Sequence, residues 1–298
     1  MSKKPIVSIV GSINMDLTIT TNKMPMQGET VLGNDFATYP GGKGANQAVA
    51  AARLGANVNM IGAVGSDSFG KTLLNYLETE GINIEGVHTA TNKPTGIANI
   101  ILSEDDNRII VASGANKLVL PELVEKHVDL IKHSDVLLLQ LEIPIETVMY
   151  TLKVASKYNV PIIVNPAPYQ PLPDALFKAT TYLTPNEIEA ESIKNDLLFE
   201  SIKEKLIVTT GDKGVQYFEN GTKQFLPSYQ VEVKDTTGAG DTFNGAFATK
   251  LGIGASITEA VQFANAAAAL SVTKVGAQSG MPKKQEVEQF LKERSGTK

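Results

Sequence analysis

The 298-residue chain contains no cysteine, which excludes disulfides, thiolate metal sites and cysteine nucleophiles. Histidine is scarce. His88, His127 and His133 are scattered, without the i, i+4 partner that a helical zinc site requires, and they read as surface or structural residues. Basic charge is not in excess either. A formal net charge of -5 argues against nucleic acid as the main partner. It leaves room for a nucleotide, because a few backbone amides can hold phosphates inside an acidic protein. No apolar run approaches the length of a membrane span. The opening stretch MSKKPIVSIVGSINMDL is too short for a signal peptide and is broken by Gly11, Asn14 and Asp16, so it reads as a first strand. The expectation is a cytoplasmic chain with neither a membrane nor a nucleic-acid partner.

What is present is ordinary for a folded chain: 42% hydrophobic and 20% charged residues, with no biased tract. Apolar runs alternate with helical patterns. Strand candidates fall at residues 6–10, 58–64, 136–141, 161–164 and 206–209, and helices at 45–54, 69–80, 121–131, 145–157 and 241–250. Short, buried-looking strands separated by helices imply parallel β-α-β units, and so an α/β fold: a three-layer α/β/α sandwich on a mostly parallel central sheet. With no repeat or linker, residues 1–298 read as one domain. Two stretches break the rhythm, 17–39 and 95–113, with alternating polar-rich strand patterns and turn signals at Gln27-Gly28 and Asp105-Asp106-Asn107. They suit a small antiparallel flap, a lid inserted at about residues 15–40 and 95–113, and fit ordinary edge hairpins as well.

Three glycine-rich stretches compete as ligand sites. Gly65-Ser66-Asp67-Ser68-Phe69-Gly70-Lys71-Thr72 fits G-x-x-x-x-G-K-[ST] between a strand and a helix, where a P-loop would cradle phosphates. A P-loop also needs a magnesium-binding aspartate at the end of a later apolar strand, and Asp135 stands at the wrong end of its strand. The second stretch is Pro40-Gly41-Gly42-Lys43-Gly44-Ala45-Asn46-Gln47, whose glycines let backbone approach a ligand and whose Asn46 offers donor and acceptor to a sugar diol. The third is Asp235-Thr236-Thr237-Gly238-Ala239-Gly240-Asp241-Thr242-Phe243-Asn244. Small residues at 238–240 at a helix start form an anion nest, with amides and helix dipole aimed at a phosphate. The competing reading, Asp241 as a plain N-cap, does not call for small residues at all three positions.

With the second and third signatures in this order, the chain resembles the ribokinase family of carbohydrate kinases, also called the PfkB family. GGKGANQAVAAARLGA and DTTGAGDTFNGAF match the family's two signatures, and Asn186-Glu187-Ile188-Glu189 matches its N-x-x-E pattern. Val64-Gly65-Ser66-Asp67-Ser68-Phe69-Gly70 matches a family strand end, which makes the P-loop match a coincidence. The resemblance covers about residues 5 to 290. Gly11-Ser12-Ile13-Asn14-Met15-Asp16 and Leu139-Gln140-Leu141-Glu142 resemble the members that act on ribose.

That resemblance implies a set of roles. Asn14, Asp16, Gly42, Lys43, Asn46, Glu142 and Asp241 would hold ribose. Asn186, the run Thr209-Thr210-Gly211-Asp212-Lys213-Gly214, Gly240 and Asn265 would hold ATP. Asp241 would act as catalytic base beside an anion hole of Gly238, Ala239 and Gly240, with Mg2+ on the phosphates and Glu189 reaching it through water. A potassium ion would sit among Asp235, Thr237, Ser271, Lys274, Gly276 and Gly280, mostly on backbone carbonyls; Gly280 stands where the family often has serine. The implied reaction is ATP-dependent phosphorylation of ribose at O5, in a homodimer joined through the lid. After Glu189 the usual helix and loop are shortened, with Asn195-Asp196 leading quickly to the next strand. The rivals are a family kinase for fructose, a sugar phosphate or a nucleoside, a non-catalytic sugar sensor, and a P-loop nucleotidase.

Overall fold

The strands are, in chain order, β1 (Ile6–Val10), β2 (Asn14–Thr20), β3 (Asp35–Gly41), β4 (Asn57–Gly65), β5 (Asn83–Ala90), β6 (Gly96–Ser103) and β7 (Asp106–Ala112), then β8 (Val136–Leu139), β9 (Ile162–Val164), β10 (Tyr182–Leu183), β11 (Val208–Thr209), β12 (Gly214–Glu219) and β13 (Thr222–Pro227). They come from a computed structural model, which describes residues 4–103, 106–194 and 199–295. Asp105 of the second turn signal and the Asn195-Asp196 connection lie outside the described residues.

Six strands pair in the order β10-β9-β8-β1-β4-β5, every neighbour parallel. Side chains alternate across a strand, and here both faces are apolar. Val7, Ile9, Val136, Leu138 and Ile163 enter one buried cluster, while Val10, Leu137, Leu139, Ile162 and Val164 enter another. The first is covered by helices Lys43–Arg53, Ala239–Gly252 and Ile257–Ser271, the second by Ile145–Lys157 and Asp174–Ala179. Two-sided burial accounts for the unbroken apolar runs and makes the three-layer sandwich. Among the described residues, no helix is long and apolar enough to cross a membrane.

Beyond β10 the sheet continues through isolated parallel bridges, Leu183 to Leu206 and Asn186 to Thr209, into the antiparallel strands β11-β12-β13. The helix expected at 121–131 is two short ones, Pro121–Lys126 and Val128–Lys132, parted at His127, which has φ −116 and ψ 25.

The lid is a separate four-stranded sheet, β3-β2-β6-β7. Its outer pairs are antiparallel but its central pair, β2 with β6, is parallel, which corrects the fully antiparallel flap. The reason is connectivity: β2 and β6 each follow a strand of the main sheet, β1 and β5, and leave it at the same end. The P-loop-like stretch is the root of this lid. Asp67 caps helix Ser68–Thr79 by accepting from Gly70 N at 2.9 Å, and it accepts from Thr95 N and Thr95 Oγ1 at 2.7 Å each. Gly65 N donates to Thr95 Oγ1 at 2.9 Å, so the loop binds the start of the second lid segment; Lys71 is exposed.

Candidate active site

Strand β1 lies mid-sheet; the chain proceeds from it to β4 on one side and later to β8 on the other. Between β1 and β8 the winding reverses, and ligands of open α/β sheets bind outside the carboxyl ends of strands at such a point. The residues just past both strands meet there. Ser12 Oγ donates to Glu142 Oε2 at 2.5 Å, and Lys43 N donates to the same oxygen at 3.3 Å. Asn14 is buried, and its Oδ1 accepts from Asn116 Nδ2 at 2.7 Å, while Asn116 Oδ1 accepts from Ile13 N at 2.9 Å. Asn14, Asn116, Lys117 and Glu142 line a cavity of about 390 Å³ roofed by Val111 of the lid.

Asp16 follows on β2. Burial, then repulsion from Glu142 and Asp241, pushes its carboxyl up to about 7. Burial works to lower the Lys43 ammonium, but the surrounding Asp241, Glu142 and Glu189 outweigh it and hold it above its ordinary range. Four carboxylates and one lysine therefore share a poorly hydrated space, which suits a polyhydroxy ligand that donates to the acids.

The glycines of the second signature are required by the chain's own packing. Gly42 has φ 89, and a Cβ there would come within 2.6 Å of Asn14 N. On Gly44 a Cβ would meet the Gly11 and Ser12 backbone at 2.7 Å. The helix carrying Asn46 thus docks directly on the β1–β2 connection.

Helix Ala239–Gly252 starts from Gly238, in the left-handed conformation with φ 77, so Asp241 sits inside the first turn and caps nothing. A side chain on Gly238 would collide with Ala277 at 2.9 Å, whereas a Cβ on Gly240 would meet nothing within 4 Å. Ala239 N donates to Thr236 O at 3.2 Å; the amides of Gly238 and Gly240 have no acceptor among the described residues. Asp241 is buried, and both its oxygens are held. Asn46 Nδ2 donates to Oδ2 at 2.8 Å and Gln47 Nε2 to Oδ1 at 2.9 Å. Asn46 is itself oriented, its Oδ1 accepting from Gln278 Nε2 at 2.7 Å.

On the other side of that helix start lies a mainly apolar cavity of about 360 Å³. Its lining includes Asn186, Thr209, Gly211, Asp212, Gly214, Ala239, Gly240 and Asn265. Thr210 and Lys213, expected among them, are turned to other partners: Thr210 Oγ1 to Gly214 O at 2.8 Å and Lys213 Nζ to Glu187 at 3.0 Å. Asn186 and Glu189 form a reciprocal pair at the start of helix Glu187–Lys194, each backbone N–H donating to the other's side chain at 2.9 Å. Burial raises the Glu189 carboxyl, opposed by the Asn186 amide and Lys43.

The loops 235–237 and 274–280 are tied by Asp235, which accepts from Thr237 N at 2.8 Å and Gly276 N at 2.7 Å. Burial opposes its charge, but these bonds prevail and hold the carboxyl below its ordinary range. The carbonyls of Ser271 and Lys274 converge on Gly280: a Cβ there would stand 2.4 Å and 3.5 Å from them. The Ser271 hydroxyl bonds its own helix and the Lys274 ammonium pairs with Glu286, so only backbone oxygens face inward from these two residues.

Sequence reading did not single out Ser12, Gln47, Asn116, Gln140, Asn165 or Gln278. All but Asn165 of these are at most 4% exposed, and a fully buried glutamine among alanines, as at Gln47, is the one local signal available.

Known proteins share this architecture. Residues 4–284 match the pfkB family of carbohydrate kinases. The ribokinase of Bacillus subtilis is 46% identical over 289 residues, spanning 96% of this chain and 99% of that one. A crystal structure of Thermotoga maritima ribokinase has a TM-score of 0.88 at 40% identity, covering 97% of this chain and 99% of that one. Arabidopsis thaliana ribokinase, solved with ribose and ATP, has a TM-score of 0.89 at 32% identity with the same coverage, 97% and 99%. The chain belongs to the pfkB family of carbohydrate kinases. It is a kinase, an enzyme of phosphoryl transfer.

Proposed function

We propose that this kinase transfers the γ-phosphoryl group of ATP to the O5 hydroxyl of D-ribose, giving ribose 5-phosphate. One observation carries the reading: Gly240 lines the mainly apolar cavity, while the next residue, Asp241, is buried against Asn46 and lies within the field of Asp16 in the polar crevice. A single helix turn thus stands between a mainly apolar cavity suited to a nucleotide base and a polar crevice suited to a sugar. ATP occupies the cavity of Asn186, Thr209, Gly211 and Asn265, with its terminal phosphate at the unpartnered amides of Gly238 and Gly240. Ribose hydroxyls donate to Asp16 and Glu142 and bond Asn14 and Asn46. Asp241 takes the O5 proton as the O5–Pγ bond forms and the bond from Pγ to the bridging oxygen breaks, with ADP as the leaving group. Positioning and electrostatics supply most of the acceleration in such transfers.

Magnesium fits beside Glu189 as a hydrated ion rather than in a protein cage, since among the described residues no three Asp, Glu, His or Cys side chains are placed to hold a metal ion together. The converging carbonyls of Ser271 and Lys274 at Gly280 form an all-oxygen donor set that suits a hard cation such as potassium. Exposed Phe36, Ile109 and Ile110 on the lid support a homodimer joined through it, and the packing of helix Lys43–Arg53, which follows lid strand β3, into the core of the main sheet supports one folding unit.

ADP formation should be measured with magnesium and potassium against ribose, 2-deoxyribose, fructose, fructose phosphates, adenosine and no acceptor. The account requires ribose to give the highest turnover. Preference for another acceptor would overturn the sugar assignment, and no turnover with any of them would favour a sensor.

A further inference from the structure

Asp241 is the end point of a buried amide relay whose two glutamines, Gln47 and Gln140, are fully enclosed. Gln47 Nε2 donates one hydrogen to Asp241 Oδ1 at 2.9 Å and can donate the other to Asn165 Oδ1 at 3.2 Å. Gln47 Oε1 accepts from Gln140 Nε2 at 2.6 Å, and Asn165 Nδ2 donates to Thr184 O at 3.0 Å. This pattern fixes the orientation of every amide, since reversing Gln47 would set its oxygen against the carboxylate and its nitrogen against the Gln140 donor. Gln47 and Gln140 are 0% exposed, so neither can touch a sugar in the crevice. The network also costs something: Gln140 Oε1 is buried without a partner among the described residues, and such an atom is expensive to keep in a core. An apolar core at these positions would avoid that cost, so the relay does more than fill space.

Resting on the reading of Asp241 as base, we infer that Gln47 is its positioning residue, locking the carboxylate rotation and supplying the one side-chain donor to Oδ1, with Gln140 setting the direction of the Gln47 amide. Asn46, the donor to Oδ2, also faces the sugar; Gln47 does not. The separation of tasks predicts a signature that a structural role would not give. Losing Gln47 should lower turnover and alter its pH dependence while leaving ribose affinity in place.

The variant to make is Gln47→Glu, which keeps the shape and the acceptor for Gln140 but turns an oxygen toward Asp241. The charged groups around Asp241, namely Asp16 and Glu142 across the crevice, Lys43 on the first helix and Glu189 beyond it, are untouched. With ribose and MgATP, kcat should fall by about 10- to 100-fold, as for loss of one hydrogen bond to a charged group. The acidic limb of the kcat profile should move to higher pH, and KM for ribose should stay within about threefold. Gln140→Met, which frees the Gln47 amide from one further step away, should move the limb in the same direction by less. It stands in as the test if Gln47→Glu does not fold. An unmoved limb in the folded variants, or a rise in ribose KM that accounts for the whole loss, overturns the inference. Asp241→Asn run in parallel separates the two claims. If it is inactive while Gln47→Glu keeps the parent profile, only the role of Gln47 falls; if it turns over normally, the base reading falls and takes this inference with it.

Discussion

Gly41 faces the carboxylate of Asp16 so closely that a Cβ on Gly41 would stand 2.3 Å from both of its oxygens. The two residues lie on adjacent antiparallel lid strands, with Gly41 opposite Asn14 and Asp16 opposite Tyr39. The atoms in the way belong to the end of a side chain, not to backbone. Gly41→Ala should therefore fold and displace Asp16 rather than break the lid. We expect kcat/KM for ribose to fall by about 100-fold, the scale of a roughly 1 Å misplacement, with the melting temperature little changed. A variant with parent kinetics would remove Asp16 from the sugar site.

On the proposed reading, Asp16 gives up stability for ribose binding. Its folded carboxyl titrates at about 7 against an ordinary 3.8. Below the ordinary value both folded and unfolded chains are protonated there, so the group contributes nothing. As pH rises through the interval, the unfolded chain releases the proton first, and the empty enzyme is progressively destabilised until about pH 7. Asp16→Asn should thus match the parent in melting temperature near pH 4 and exceed it at pH 8, while losing ribose binding. In the parent, ribose KM should rise as pH falls below 7. Equal melting curves at pH 8 would contradict the burial of this charge.

The lid root makes a sharper claim about the P-loop-like stretch. Hydrogen bonds from Thr95 and Gly70 overcome burial and hold the Asp67 carboxyl below its ordinary range. Its contribution is present above the ordinary carboxylate value and is lost as pH falls through the depressed one. Asp67→Ala should cost about 2 kcal/mol in denaturant unfolding at pH 7, combining a lost cap with lost tertiary bonds. Lys71→Ala should leave turnover unchanged; a severe loss would restore the P-loop reading.

Arg53 joins the first helix to the 274–281 loop. Its Nε and Nη2 donate to Glu80 at 2.9 and 2.6 Å, and Nη1 donates to the carbonyls of Gln278 at 2.5 Å and Met281 at 3.2 Å. Arg53→Met should cost about 2–3 kcal/mol, since it strands partly buried acceptors. Arg53→Lys should recover little of this, because an ammonium cannot reproduce the fork. Full recovery by lysine would reduce the contact to simple charge pairing.

The sandwich was legible in the sequence because β1, β8 and β9 are buried on both faces and leave unbroken apolar runs. Strands β5, β12 and β13 were not seen, since Asn83–Ala90 and the short antiparallel strands β12 and β13 mix polar and charged residues with apolar ones. The parallel centre of the lid was hidden because pairing partners are set by connectivity, which local patterns do not carry. Asp241, Asn46 and the glycines stood out through local motif chemistry. The relay did not, because Gln140 and Asn165 stand 93 and 118 residues from Gln47 and come together only in the fold. Gly42 and Gly44 were read as openings for a ligand, yet their close contacts are with the Gly11–Asn14 backbone, a constraint visible only once strand and helix are docked.

The most direct test of the central claim follows carbon-13 ribose and MgATP by phosphorus and carbon NMR, with the parent enzyme and Asp241→Asn side by side. The account predicts a phosphomonoester at C5 with the parent. It predicts a loss of several orders of magnitude in rate with Asp241→Asn, whose circular dichroism and ribose-free melting curve should show an intact fold. Phosphorylation at another position, or a near-parent rate from Asp241→Asn, would contradict the assignment of Asp241 as the base that deprotonates O5.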